Sequence, residues 1–117
     1  MALNTVTLYQ PPTDSQLLMG CGFHAATLTG NLTLTNAYPT VLKLDPGGAH
    51  RDVTLEAEAT AENQYRRIIN SADAAENLVV KDDGGATIAT INQHEQGEFH
   101  CNGTAWSLVC ITTIALS

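Results

Sequence analysis

This 117-residue chain reads as one all-β domain: an antiparallel β-sandwich or barrel-like body, in the manner of a jelly roll or β-tulip, over residues 25–117, preceded by an extended N-terminal arm over residues 1–24. Three observations predict this. Short runs of Val, Ile, Leu, Thr and Phe recur with period-two alternation, the pattern of half-buried strands. Between them sit compact turn clusters, Asp45-Pro46-Gly47-Gly48, Asp82-Asp83-Gly84-Gly85 and Asn102-Gly103, and an Asn-Gly pair between apolar runs is the strongest short-range hairpin signal. The one stretch with helical composition, Glu56 to Asn63, is acidic throughout and has no apolar stripe to hold a helix down. A chain of this length supports one core and leaves no room for a second.

The arm is defined by its prolines. A candidate strand at Thr5 to Tyr9 is followed by Pro11-Pro12, which forbid helix and withhold ladder donors, then by Leu17-Leu18-Met19 and the permissive Gly20-Cys21-Gly22. Such a segment is expected to lie extended against something else, a neighbouring subunit included.

From Ala25 the strand signals become regular. Thr27 to Thr29 and Leu32 to Thr35 flank Gly30-Asn31, with Leu32 and Leu34 on one face. Val41 to Asp45 ends in a turn built from a φ-locked proline and two glycines, and Asp52 to Leu55 starts the next strand. Glu56 to Asn63 is expected to form a surface loop or a single helical turn. Gln64 to Asn70 sets Tyr65, Arg67 and Ile69 on one face against Arg66, Ile68 and Asn70 on the other, and Ser71 to Glu76 closes it. Asn77 to Lys81, Thr87 to Ile91, Glu98 to Cys101 and Ala105 to Val109 read as a meander, and residues 111–117 as a last strand at an edge or in an interface. About nine short strands at regular spacing favour a sandwich or barrel.

Apolar residues make up 44% of the chain but aromatics only 5%, so the core should be thin and self-association is the expected remedy. Five Lys and Arg against twelve Asp and Glu give a formal charge of -7, which opposes phosphate backbones and anionic lipid. Neither nucleic acid nor a membrane is an expected partner. No apolar run is long enough to span a bilayer, and the first residues lack a basic region followed by an apolar one, so neither secretion by a signal peptide nor insertion is expected. Cys21, Cys101 and Cys110 are odd in number and lack paired spacing, which argues against a zinc knuckle or a disulfide framework. Cys101 and Cys110 flank the Asn102-Gly103 hairpin but are expected to stay reduced. The sequons at Asn31 and Asn102 are chance matches without a secretory route.

No segment carries an enzyme signature. His94-Glu95-Gln96-Gly97-Glu98-Phe99-His100 is the densest polar run, yet on a strand only Glu98 and His100 share a face, so three ligands would need His24 or His50 from across the fold. The histidine pattern of a cupin is absent. Asp45, Asp82 and Asp83 beside glycines follow ordinary turn chemistry rather than calcium-loop spacing. There is no G-x-S-x-G, and no cysteine sits in a catalytic context. Lys43, Arg51, Arg66 and Arg67 are the main cations on this acidic chain, available for a subunit contact or for plain solvation.

The phrases LDPGGAHRDVTL (44–55), QYRRIINSADAAENLVVKDDGGATIATI (64–91) and GEFHCNGTAW (97–106), in that order and spacing, resemble a group of small tailed-bacteriophage head decoration, or cement, proteins. The resemblance covers a little over half of the chain. It implies a non-enzymatic all-β homotrimer, without cofactor or metal, that is made in the bacterial host cytoplasm. On the virion it would sit on the outer surface of the expanded capsid, where it contacts the major capsid protein and stabilises the shell. Leu3, Val6, Leu8, Tyr9, Leu17 and Leu18 of the arm are the expected capsid or subunit contacts. The competing expectation is a tail-fibre or tail-tip accessory module that binds a receptor or carbohydrate. A sugar-binding face would need exposed aromatics, and Trp106 is expected to pack in the core.

Overall fold

The computed structural model describes residues 22–115. Its strands are β1 (Phe23–Thr27), β2 (Leu32–Thr33), β3 (Val41–Asp45), β4 (Arg51–Thr54), β5 (Tyr65–Asn70), β6 (Leu78–Lys81), β7 (Thr87–Ile91), β8 (Glu95–Cys101) and β9 (Trp106–Thr113), with a 3-10 turn at Glu58–Thr60. They build a five-stranded sheet in the order β9-β8-β5-β3-β1 and a four-stranded sheet in the order β2-β4-β6-β7. The chain is all-β and forms two packed sheets, as its turn and alternation pattern predicts. β1 begins at Phe23, inside the span read as an arm, and the candidate strand Thr5 to Tyr9 lies outside the described residues.

Strand direction is where the structure departs from a purely antiparallel body. The chain crosses from one sheet to the other after each of its first five strands. β1 therefore pairs parallel with β3, β3 with β5, β2 with β4, and β4 with β6. Parallel neighbours need a crossover connection, and here the opposite sheet supplies it in place of a helix. The result is a short coil of stacked rungs, in which Phe23, Val41 and Arg67 lie side by side on one sheet, and Leu32, Val53 and Val80 on the other. The coil ends where β7 turns back antiparallel on β6, and where β8 pairs antiparallel with β5 and β9 antiparallel with β8. The expected meander is thus two hairpins in opposite sheets, and the expected last strand is the end of β9, which runs on to Thr113 past a bulge between Leu108 and Cys110.

Alternation decides what the sheets enclose. Leu42 and Leu44 of β3, Ile68 of β5 and Phe99 of β8 meet Val53 of β4, Leu78 and Val80 of β6 and Ile91 of β7 in one buried cluster, with Leu28, Leu34 and Leu55 at the corners. Trp106 joins this core, as its sequence context predicts, and its indole Nε1 donates to the Glu56 carbonyl at 2.9 Å. One glycine is fixed by the stacking. Gly47 has φ +78°, and a Cβ there would lie 2.1 Å from the Leu28 carbonyl oxygen of the rung below, so no side chain fits between the two corners.

Candidate interaction surface

β5 was legible as a half-buried strand, but its buried face carries two polar groups, Arg66 and Asn70, one near each end. Arg66 is 2% exposed, which corrects the expectation that it is a surface or subunit-contact cation. Its Nε donates to Glu56 Oε1 at 3.3 Å, its Nη1 to the carbonyls of Tyr38 at 3.1 Å and of Pro39, and its Nη2 to the Thr35 carbonyl at 3.1 Å and to Glu56 Oε2. All five guanidinium hydrogens are used, and two successive corners of the coil are tied to the third rung. Asn70 does the same at the other end: its Nδ2 donates to the carbonyls of Glu76 at 2.8 Å and Ile91 at 2.9 Å, and its Oδ1 accepts from Ala72 N.

With Arg66 committed to the interior, the outer face of the five-stranded sheet is built from the alternate residues. One register row runs Phe23, Val41, Arg67, Glu98, Cys110, and the next Ala25, Lys43, Ile69, Gln96, Thr112. A hydrogen-bonded network fixes the middle of this face. The Tyr65 hydroxyl donates to Glu98 Oε1, Gln96 Nε2 donates to Glu98 Oε2 at 3.0 Å and to Thr112 Oγ1 at 2.8 Å, and Arg67 Nη2 reaches Glu98 Oε2 at 3.4 Å. The Tyr65 hydrogen bond, with that of Gln96, holds the Glu98 carboxyl below its ordinary pKa, while desolvation and then the Glu98 carboxylate push the Tyr65 phenol up. On this face Lys43 and Arg67 stand against Asp45 and Glu98, so a molecule of charge -7 presents one locally balanced sheet surface. A shallow open depression lined by Ala25, Thr27, Lys43, Asp45 and Ser71 interrupts it.

The sheet also has two outer edges that make no ladder with another described strand. β1 is one, and Phe23 at its start is 61% exposed. β9 is the other: eight residues without a charge or a proline, with Leu108 41% and Val109 57% exposed.

The histidine-rich run does not gather. His94 occupies a turn with φ +66°, Glu95 Oε1 accepts from Asn92 N, and His100 lies on the outer face opposite Ser107. His50 Nδ1 accepts from Asn77 N, and the His24 ring meets Tyr38 edge-on. Among the described residues the acidic side chains that do converge are Asp45, Asp73 and Glu76, whose ligand atoms lie within 4.8 Å of one another. Two of the three already serve backbone turns, Asp45 Oδ1 accepting from Gly47 N and Glu76 Oε1 from Gly48 N. Sequence singled out Asp45 alone, since the others reach it only through rung stacking. Cys101 is buried and Cys110 half-buried, both free, and Cys110 lies opposite Glu98 rather than Cys101. Leu3, Val6, Leu8, Tyr9, Leu17 and Leu18 lie outside the described residues. Among those described, no helix is long and apolar enough to cross a membrane.

Comparison of the chain with protein-family models, with curated proteins and with solved structures gives no match.

Proposed function

We propose that this is a non-enzymatic bacteriophage virion protein that binds the outer surface of the expanded capsid as a trimer and stabilises it. The observation that carries the reading is the outer sheet face. On an otherwise acidic molecule it is charge-balanced, partly apolar, and held in place by hydrogen bonds before any partner arrives, so little ordering entropy remains to oppose binding. The order of turn phrases, which resembles that of head decoration proteins, supports the same reading. The physical logic is linkage. A symmetric oligomer that bridges major capsid proteins in the expanded arrangement, and not in the unexpanded one, stabilises that arrangement by mass action and gains from engaging several sites at once. The arm residues Leu3, Val6, Leu8, Tyr9, Leu17 and Leu18 belong to this proposal as the segment that reaches a neighbouring subunit or the capsid.

Co-sedimentation of the purified full chain with expanded heads lacking it, with unexpanded proheads and with purified tails tests the proposal. The expected result is saturable binding to expanded heads alone, in multiples of three copies per lattice site. Binding to tails alone would move the protein to a tail accessory role, and binding to none would end the virion reading.

A further inference from the structure

We infer that copies of this chain meet edge to edge, the edge of β9 that no other described strand pairs with in one copy joining the corresponding edge of β1 in the next. The inference rests on the trimeric part of the function proposed above and names the surface that makes the trimer.

The β9 edge is unusual in what it lacks. Strands at sheet edges are normally guarded by charge, proline or shortness, because their outward N–H and C=O groups template pairing with another chain. β9 is the longest strand in the described chain, and Trp106 to Ile114 contains no charged residue and no proline. The Ile114 N–H donates to the His94 carbonyl, which continues the β8 ladder past the strand end, so by antiparallel alternation Ile111 and Thr113 turn their backbone groups outward. Leu108 and Val109 stand exposed at the bulge. Such an edge fits a strand of another protein molecule.

The choice of a second copy follows from charge and direction. Two molecules of charge -7 repel wherever acidic surfaces meet, and the β1 and β9 edges are stretches of the same sheet that carry no formal charge. β1, Phe23 to Thr27, contains only Phe, His, Ala and Thr and presents Phe23 outward as an apolar partner for Leu108 and Val109. β1 runs parallel to β3 and β5, and β9 returns to that direction after the antiparallel β8. Copies related by rotation about an axis along the strands therefore bring β9 and β1 together side by side and parallel, which continues the five-stranded sheet from copy to copy. This contact uses a different patch on each partner, and contacts of that kind form a ring such as a trimer when the rotation between copies closes.

The test is the oligomeric state of the full chain, by sedimentation velocity over a concentration series, for the wild type, Val109→Lys and Phe23→Lys. Both side chains are exposed, and Trp106 fluorescence with far-UV circular dichroism reports whether each variant keeps its fold. The expected result is a trimer for the wild type and, in both variants, association weakened by roughly tenfold or more, with the folded signals unchanged. A trimer unaffected by either lysine would overturn the edge pairing while leaving the trimeric reading intact. Loss of association in Val109→Lys alone would overturn the β9-to-β1 assignment. A wild-type monomer at every concentration would end both, whereas head binding by that monomer would still support capsid decoration.

Discussion

In the coil of β1 to β6, strands that lie side by side come from successive rungs, so every ladder joins residues far apart in the chain; in the hairpins β6–β7 and β8–β9 they are consecutive. The two regions are closed by different chemistry. The hairpins carry their own locks: Asp82 Oδ1 accepts from Gly84 N and Ala86 N, and Asn102 Oδ1 accepts from Thr104 N and Ala105 N. The coil corners are locked from a distance, by Arg66 reaching residues 35, 38, 39 and 56, and by Asn70 reaching 76 and 91. A hairpin lock that fails frees one turn, whereas loss of Arg66 leaves a buried carboxylate unpaired and loss of Asn70 leaves the Glu76 and Ile91 carbonyls without its amide donor.

The largest effect should therefore follow removal of Arg66. Arg66→Met strands the Glu56 carboxylate in the interior and takes the Arg66 donors from the part-buried carbonyls of Tyr38 and Pro39, at a cost of about 3–5 kcal/mol, measured by urea unfolding. Pairing it with Glu56→Leu should recover part of that loss, because the double variant removes the orphaned carboxylate while the Glu56 carbonyl still accepts from Trp106. Asp82→Ala provides the contrast: its two hydrogen bonds lie in an exposed turn, and about 1 kcal/mol should be lost. Equal losses in Arg66→Met and Asp82→Ala would break the comparison.

The smallest effect concerns the outer face and sharpens the contrast between buried and exposed ion pairing. The Glu98 carboxyl is held below its ordinary 4.5, so its contribution to stability is full above that value and is lost as pH falls through the lower folded pKa. Tyr65→Phe removes the main cause of the depression and should flatten this acid limb by roughly a few tenths of a kcal/mol, since the network is solvent-screened. An acid limb identical in wild type and Tyr65→Phe would show that the hydrogen bond contributes nothing in solution.

The same division explains what the sequence could reveal. Val41 to Asp45 and Thr87 to Ile91 coincide with β3 and β7, and the Asp82 and Asn102 turns were legible because their chemistry is local. Parallel stacking was not legible. The steps from Phe23 to Val41 and from Val41 to Arg67 are unequal, so no fixed repeat marks the rungs. Arg66 beside Arg67 looks like a solvated pair until the alternation of β5 and the corner carbonyls are placed around it. The outer face was half legible: Tyr65, Arg67 and Ile69 were predicted to share a side, but Glu98 and Gln96 join them only through the β5–β8 register.

Cryo-electron microscopy of expanded heads incubated with the purified full chain tests the proposed function most directly. The account predicts three-fold density units on the outside of the expanded shell, each fitted by three copies of this two-sheet fold. Particles whose shells carry no added density at saturating protein, or density confined to the tail, would contradict it.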